Sequence, residues 1–346
     1  MLSNKELKES IARAELEIME KRMNERTEQI KSALVPFQSA GSLKWLFTEP
    51  EPEKFIFRQP GPFQTSEGFM PKGMPCMLIS PGGSGKSWAL LQAAIAAATG
   101  TKWFNYFQSE KPIKVVYVSA EDSLSQLWRR ARKIFFGHNL DRSPKHKDAF
   151  NNNFFPIPLN GLCLEICDAD GQPTNEFYEL EKYLHTMQDI ELLILDPASS
   201  FHGCNENDSK PMRRWITLLH KLTHCPGNPT VLIAHHTNKS AFQKAKDNET
   251  IFDQSFARGS SAIADGVRWM ACLEKKDTPE NDRVLFRLLK SNYSGFPPPL
   301  ELIRDNEWGG ILRSVNGIEP NTSSHHKNVT MKTHNYDFAM TGEDHF

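Results

Sequence analysis

Short apolar runs alternate with amphipathic segments through the middle of the chain. The apolar runs predict strands, and the segments with apolar residues at helical spacing predict helices. The predicted strands are Met77–Ser80, Val115–Ser119, Leu192–Leu195 and Val231–Ala234, and the predicted helices are Trp88–Thr99, Leu124–Phe136, Glu176–Met187 and Met212–Thr223. Three more strands are predicted without helices between them, at Val267–Leu273, Val284–Leu289 and Leu300–Arg304. The expected fold class is α/β, a mostly parallel sheet flanked by helices, with antiparallel strands at one edge.

The regions outside this core have a different pattern. Residues 1–34 are rich in charge, with one apolar stripe (Leu7, Ile11, Ala14 and Ile18) that predicts a helical arm. This arm either packs on its own domain or docks on a neighbouring subunit. Residues 35–75 contain repeated prolines, which predict an irregular lead-in that ends in a turn at Pro71–Gly73. Residues 76–318 form the predicted core domain, in which Asn151–Asn153 mark a loop, and 319–346 a flexible tail.

Composition and charge limit the classes of protein to which this chain can belong. The 346 residues are 39% hydrophobic and 24% charged, as in an ordinary globular protein. The formal net charge of -1 excludes a broadly basic, nucleic-acid-coating protein, so contacts with DNA or RNA would need local positive charge. The six cysteines lack zinc-site spacing, which favours free thiols in a reducing compartment. Without an apolar run of about 20 residues or a signal-peptide core, we expect a cytoplasmic protein with no membrane partner.

The strongest motif lies between the first predicted core strand and the helix that follows it. Its residues are Ser80, Pro81, Gly82, Gly83, Ser84, Gly85, Lys86 and Ser87. Glycines allow a tight loop whose backbone N–H groups, together with the positive end of the helix, surround phosphate oxygens. The side chain of Lys86 is expected to reach the β- and γ-phosphates of ATP, and the hydroxyl of Ser87 to bind Mg²⁺. Ser80 replaces the usual first glycine of the motif.

Carboxylates end two of the predicted strands. Asp196 follows the apolar run Leu192–Leu195, where such a carboxylate orients Mg²⁺. Glu121 follows the strand Val115–Ser119, at a place where it can act as general base toward a water molecule. The alternative is that an acid here only caps the next helix, and we assign the base to Glu121 and the cap to Asp122.

Two histidines end the strand Val231–Ala234. His236 is placed to report the γ-phosphate to the next loop, whereas a metal site at the histidine pair lacks a third ligand. The long polar segment that follows carries Lys239, Lys244 and Lys246. Loops of this length are functional or disordered, and we predict that these lysines contact DNA phosphates.

Taken together, these motifs resemble the RepA-type branch of the RecA/DnaB superfamily, the plasmid replicative helicases and their relatives. The resemblance covers roughly residues 43–315 and rests on Leu78–Ser87, Val116–Asp122, Leu193–His202, Val231–Lys239, Arg258–Trp269 and Lys290–Gly295. It implies a RecA-like P-loop ATPase core and a homo-hexameric ring that hydrolyses ATP to translocate on single-stranded DNA. It also implies a replication initiator or a primase as partner.

The resemblance further assigns roles to single residues. Glu121 matches the catalytic glutamate, and His236 matches the residue that senses the γ-phosphate. Arg268 matches an arginine finger that reaches the neighbouring subunit's site, with Arg258 as the competing candidate. The segment that in DnaB-like relatives carries Lys-x-Arg ends here in Asn292, so only Lys290 is left to act in trans.

Two alternatives to a helicase stay open. No counterpart of a primase-interacting domain is found in the arm or lead-in, so the protein could be an ATP-dependent DNA-binding regulatory or recombination ATPase that does not unwind DNA. The phosphate-binding loop Ser80–Ser87 (the P-loop) is also compatible with a small-molecule kinase, which would work as a monomer.

Overall fold

The structure, a computed structural model, describes residues 24, 27–28, 30–31, 34, 51–61, 66–237, 261–276, 282–305 and 307–315. The chain divides into two compact units, Met1–Pro52 and Glu53–Phe346. In the first unit, Lys31 and Glu28 form an exposed ion pair at helical spacing. The apolar stripe of the arm and the tail 319–346 lie outside the described residues. The predictions for arm and tail therefore stay predictions.

The second unit contains the elements that form the core. In chain order the strands are β1 (Phe55–Pro60), β2 (Ser66–Pro71), β3 (Pro75–Ser80), β4 (Lys102–Trp103), β5 (Phe107–Ser109), β6 (Lys114–Ser119), β7 (Phe154–Pro158), β8 (Ile190–Asp196), β9 (Thr230–His236), β10 (Trp269–Lys275), β11 (Arg283–Ser291), β12 (Leu300–Asp305) and β13 (Ile311–Ser314). The helices are α1 (Lys86–Thr99), α2 (Leu124–Gly137), α3 (Pro144–Asn153), α4 (Asn175–Met187), α5 (Ser209–Leu222) and α6 (Ser261–Gly266).

The main sheet has nine strands in the order β13-β12-β11-β10-β3-β9-β8-β6-β7. The six strands from β10 to β7 are parallel to one another. The strands β11, β12 and β13 add an antiparallel extension beside β10. The predicted α/β fold class is confirmed, including the antiparallel strands at one edge. Because the inner strands are parallel, β3, β6, β8 and β9 all end at the same edge of the sheet.

Alternate residues of the strands point to opposite faces, so the sheet separates two hydrophobic cores. On β3, Leu78 belongs to the core that contains α1 and α2. Its neighbour Ile79 belongs to the core that contains α4, α5 and α6. Both side chains are fully buried, and burying such a side chain contributes about 1.5–3 kcal/mol. Because both faces of the sheet are buried, its strands are held in place, and so are the residues at their carboxyl ends.

The proline-rich lead-in is not irregular throughout, which corrects the expectation from the sequence. Its strands β1 and β2 join β4 and β5 in a four-stranded sheet of order β2-β1-β5-β4. Buried aromatic side chains hold this small sheet, with Phe69 stacked on Phe107 at 3.9 Å and edge-on to Trp269 of β10 at 5.3 Å. The turn predicted at Pro71–Gly73 is present, and Gly73 adopts φ 72° there.

Residues 144–158 also differ from the prediction. The loop expected around Asn151–Asn153 is the end of helix α3, whose N-terminus is capped by Ser143. Strand β7 follows at once and pairs in parallel with β6 at the edge of the main sheet.

All six cysteines are free thiols, as expected, and five of them are buried. None of the described helices has the length and apolar character needed to cross a bilayer.

Candidate active site

A tight loop connects β3 to α1 at the carboxyl edge of the sheet. Gly83 and Gly85 adopt φ 77° and φ 93°, left-handed values that disfavour residues with a side chain. Gly85 is also the N-cap of α1. A Cβ added at Gly82 or Gly83 would meet no atom within 4 Å, so the space beside the loop is open. Backbone N–H groups and the positive end of a helix border this space, which is the environment that a phosphate group requires.

Lys86 extends from the first turn of α1 beneath this loop. Its Nζ donates a hydrogen bond of 3.1 Å to the backbone oxygen of His235, on β9. The residue is 8% exposed. Burial lowers the pKa of the ammonium, while the carboxylates of Asp196 and Glu121 act in the opposite direction. The ammonium is thus held by the neighbouring strand, at the place where a phosphate would be its natural counter-ion.

Asp196 ends strand β8 and is almost fully buried. The hydroxyl of Tyr117, on the adjacent strand β6, donates a hydrogen bond of 2.9 Å to its Oδ2. Burial, followed by the negative charge of Asp196, raises the pKa of Tyr117 well above its usual value, so the phenol stays a donor. Asp196 is therefore oriented from the interior of the sheet toward the loop.

Glu121 and Asp122 follow strand β6 and have different environments. Glu121 is exposed. Asp122 is buried and forms an ion pair with Arg130 of α2. Burial raises the pKa of Asp122, and the charge of Arg130 opposes that shift. The prediction that Asp122 caps α2 is wrong, because Ser123 is the N-cap and forms a capping box with Gln126.

The two histidines sit side by side at the end of β9. His235 is buried, and its backbone carbonyl accepts the hydrogen bond from Lys86. His236 is partly buried and pairs in register with Ser80, at the start of the loop. The backbone N–H of the next residue, Thr237, donates to the oxygen of Ser80 at 3.2 Å. The end of β9 is therefore tied directly to the P-loop strand.

These groups line a single cleft of about 320 Å³. The lining residues predicted from the sequence are Pro81, Gly82, Gly83, Gly85, Lys86, Ser87, Glu121, Asp196 and His236. Ser84 lies behind the loop, where its hydroxyl donates to the oxygen of Pro81 at 2.9 Å. The fold therefore brings these predicted residues together although they are up to 155 positions apart in the sequence, as Pro81 and His236 are.

A nucleotide with a divalent cation fits this cleft. Ser87 and Asp196 offer the hydroxyl and carboxylate oxygens that Mg²⁺ prefers. Ser80 also lines the cleft, and its buried hydroxyl oxygen has no hydrogen-bond partner among the described residues. Polar atoms without partners in a buried site are suited to a polar ligand.

Arg268 is not in this cleft. It is exposed, just before β10, and its backbone N–H donates to the oxygen of Pro75 at 3.0 Å. Pro75 begins the strand that Ser80 ends, so Arg268 lies about 17 Å along the sheet from the P-loop, at the opposite edge. Within one chain the guanidinium of Arg268 cannot reach the phosphates.

Lys290 is occupied within its own chain. Its Nζ donates to the backbone oxygens of Ala264 and Asp265, at 2.8 and 3.2 Å, at the end of α6. This geometry does not support the predicted role of Lys290 in a neighbouring site. Lys239, Lys244, Lys246 and Arg258 lie outside the described residues.

Four residues of the site belong to no motif that marks them as functional in the sequence. Trp88, Arg130 and Arg304 line the cleft, and Tyr117 supports Asp196 from below. Trp88 and Tyr117 lie inside segments predicted for other reasons, as part of a helix and a strand. Arg304 comes from β12, and no motif connects that strand to the P-loop in the sequence.

Comparisons with known proteins find one family model and several solved structures that are similar to the chain. A family model described as AAA domain matches residues 49–241, more than half of the chain. Among similar solved structures is a KaiC-like protein from Pyrococcus horikoshii OT3, with 12% identity over 76% of this chain and 99% of that one and a TM-score of 0.48. Another, described as an ATPase domain, has 14% identity, coverage of 71% and 86%, and a TM-score of 0.49. A DnaB-like replicative helicase, described with its interactions with primase, shows 12% identity, coverage of 70% and 57%, and a TM-score of 0.48.

Proposed function

The chain belongs to the AAA domain family, and we propose that it hydrolyses ATP in the cleft described above to move along single-stranded DNA as a ring of six subunits. Family membership and the P-loop make it a RecA-like P-loop ATPase. The motor activity, the DNA substrate and the ring are the parts that we propose. A cytoplasmic location and a replication initiator or primase as partner belong to the same proposal.

The observation that carries the proposal is the convergence of Lys86, Glu121 and Asp196 on one cleft. The N–H groups of the loop and the ammonium of Lys86 hold the phosphates. Ser87 and Asp196 would hold Mg²⁺, which would neutralise charge on the phosphate oxygens. The carboxylate of Glu121 is exposed to the cleft, and it accepts the proton of the attacking water.

The position of His236 supports a coupling between hydrolysis and DNA. It lies in the cleft, and the segment that carries Lys239, Lys244 and Lys246 begins two residues later. We propose that a change at the γ-phosphate is passed from His236 to this segment, and that its lysines contact DNA phosphates.

The position of Arg268 supports a ring. It lies at the amino edge of the sheet, while the cleft lies at the carboxyl edge, so a head-to-tail contact between copies places the arginine of one subunit near the site of the next. Mixing Arg268→Ala subunits with Lys86→Ala subunits should restore part of the ATPase activity that neither variant has alone. Absence of recovery at every ratio would remove the finger assignment, and Arg258→Ala is then tested in the same way.

Strand displacement tests the motor. Wild-type protein should unwind a forked duplex in the presence of ATP, and Lys86→Ala should not. Lys182→Ala, an exposed lysine on α4 with only a weak pairing to Glu179, is the matched control and should behave like wild type.

Other outcomes of the ATPase and strand-displacement assays distinguish a helicase from an ATPase that does not unwind DNA. Hydrolysis stimulated by single-stranded DNA without strand displacement would identify a DNA-binding regulatory or recombination ATPase. A rate of hydrolysis that does not respond to DNA would contradict both DNA-dependent functions.

A further inference from the structure

We propose that Cys167 and Cys204 form an oxidation site, at which two thiols close to a disulfide and slow the hydrolysis of ATP. The two cysteines lie in the segments that follow strands β7 and β8. Formation of the bond does not depend on a nucleotide. Its effect on hydrolysis rests on the proposed function.

The two sulfur atoms are neighbours although the residues are far apart in the sequence. The Sγ atoms of Cys167 and Cys204 are 3.4 Å apart, across 37 positions of the chain. Cys167 is fully buried, and Cys204 is 8% exposed. The sulfur atoms of a disulfide are about 2.05 Å apart, so an approach of roughly 1.3 Å would bring these two to bonding distance. A small rearrangement is therefore enough to form the bond.

Backbone hydrogen bonds hold the two segments side by side. The N–H of Leu164 donates to the oxygen of Ser200 at 3.0 Å, and the N–H of Ile166 donates to the oxygen of Phe201 at 3.2 Å. Beyond them, the N–H of Gly203 donates at 2.9 Å to the backbone oxygen of the first cysteine. The two thiols are thus kept close together by the pairing of their segments.

The same two segments are connected to the carboxylates of the cleft. The segment with Cys204 begins directly after Asp196, the proposed Mg²⁺ ligand. In the other segment, the N–H of Gly161 donates at 2.7 Å to the oxygen of Ala120, the residue before Glu121. Misplacement by about 1 Å, even far from the chemistry, can lower a rate by up to ~10²-fold. Joining the segments is therefore expected to affect the placement of both carboxylates.

The chemistry requires an oxidant, and a hydroperoxide is the class that fits a pair of thiols. Cys204 reacts first, because it is the more exposed of the two. With hydrogen peroxide its sulfur forms an S–O bond, the O–O bond breaks, and one water leaves. The sulfur of Cys167 then attacks this sulfenic acid, so that an S–S bond forms, the S–O bond breaks and a second water leaves. The sulfurs are oxidised and the peroxide oxygens are reduced.

Burial determines how fast the pair can react. It raises the pKa of both thiols, and the hydrogen bond from Cys204 raises the pKa of Cys167 further. Because the thiolate is the nucleophile, the pair reacts slowly at neutral pH and faster as the pH rises. The site therefore responds to sustained exposure to peroxide rather than to a brief pulse.

Mass spectrometry of wild-type protein treated with hydrogen peroxide tests the bond. After the remaining thiols are blocked, digestion with trypsin and a glutamate-specific protease separates Cys163 from Cys167, because Glu165 lies between them. We expect linked peptides that contain Cys167 and Cys204, formed faster at pH ~8.5 than at pH ~7. The bond constrains the unfolded chain, so the unfolding temperature should rise. ATP hydrolysis should fall by a factor of about three or more and recover with dithiothreitol.

Two variants show whether this pair is responsible. Cys204→Ala should form no such link, and its rate of hydrolysis should not change with peroxide. Cys163→Ser, which removes the exposed thiol of the same segment, is the matched control and should respond like wild type. Since the bond is mapped in wild type, the test does not depend on the folding of a variant.

The two readouts keep this inference apart from the proposed function. Free Cys167 and Cys204 after prolonged treatment, or a link through Cys163 instead, would overturn the oxidation site. A bond between Cys167 and Cys204 without a change in hydrolysis would overturn its effect on the cleft. If the reduced protein does not hydrolyse ATP, the proposed function fails together with that effect, whereas the mapped bond still decides whether the pair is an oxidation site.

Discussion

The hydroxyl of Tyr117 holds Oδ2 of Asp196 through a hydrogen bond of 2.9 Å between adjacent strands. The tyrosine is fully buried and the aspartate is 4% exposed. The proposed Mg²⁺ ligand is thus oriented from inside the hydrophobic core rather than by other residues of the cleft. This contact connects the packing of the sheet to the chemistry at its edge.

Replacing Tyr117 with phenylalanine should weaken both the fold and the metal site. The carboxylate of Asp196 loses a buried donor, which costs about 1–3 kcal/mol of unfolding free energy. Nucleotide binding should then require a higher Mg²⁺ concentration, because Asp196 is less well oriented. Urea unfolding and a Mg²⁺ titration of ADP binding measure the two effects. Tyr106→Phe, at a partly buried tyrosine outside the cleft, serves as control, and equal values for both variants would contradict the prediction.

Replacing Glu121 with glutamine should separate binding from hydrolysis. The amide keeps the size of the side chain but cannot accept the proton of water, so the rate of hydrolysis should fall by about 10²–10⁴. ADP and ATP should bind as before, since the P-loop is intact. Steady-state ATPase assays and calorimetry give the two quantities. Glu179→Gln on exposed helix α4 is the control, and a near-normal rate in Glu121→Gln would assign the base elsewhere.

The glycines of the loop should differ in their tolerance of alanine. Gly85 has φ 93° and would bring a Cβ within 3.1 Å of Arg304, so Gly85→Ala should lower the unfolding free energy by at least about 1–2 kcal/mol. Gly82 has no positive φ, and a Cβ there meets no atom within 4 Å. Gly82→Ala should therefore unfold at the wild-type temperature in the absence of ligand. The reverse order of stabilities would show that the loop conformation is different.

The stability of the protein should fall in mild acid because of His138. Burial, followed by the charge of Arg313, lowers the pKa of His138 to about 4, with Asp305 acting in the opposite direction. The unfolded chain binds this proton near pH ~6.5. The stabilising contribution is therefore complete above about pH 6.5 and is lost as the pH falls toward 4, a change of about 3 kcal/mol.

Urea unfolding between pH 7.5 and 4 measures this dependence. His138→Gln should have a flatter profile than wild type, and His185→Gln, at an exposed position, should not. Part of the slope should persist in His138→Gln, because burial also lowers the pKa of His202 and His220. Identical slopes in wild type and His138→Gln would contradict the assignment.

The sequence predicts the parts of the fold whose signals are local. The loop between Ser80 and Ser87 directly follows a hydrophobic run. So does Asp196, which ends β8, and Glu121 comes two residues after the end of β6. Helix α3 has no buried residue, so it carries no periodic pattern, although Ser143 and Pro144 mark its start. Strand β7 contains Pro156 and Pro158, which are tolerated because it is an edge strand with a single neighbour.

Arg304 could not be placed from the sequence for a different reason. Its position depends on the order of strands in the sheet: β12 pairs with β11, β11 pairs with β10, and β10 pairs with β3, the strand that leads into the P-loop. Such a neighbour relationship is set by the whole sheet rather than by residues near Arg304. The same applies to Tyr117, whose role becomes visible only when β6 and β8 are known to be adjacent.

The place of β3 in the sheet has a consequence for how the protein is made. This strand is complete by Ser80, but its two neighbours are β9 and β10, and β10 ends only at Lys275. All six of its residues are buried in the finished sheet. During synthesis of the rest of the chain, β3 is therefore an apolar segment that cannot yet pair with β9 and β10. Unpaired apolar segments of this kind favour aggregation. The yield of native protein should therefore depend on how well this segment is protected during translation, by a chaperone or by transient contact with α1.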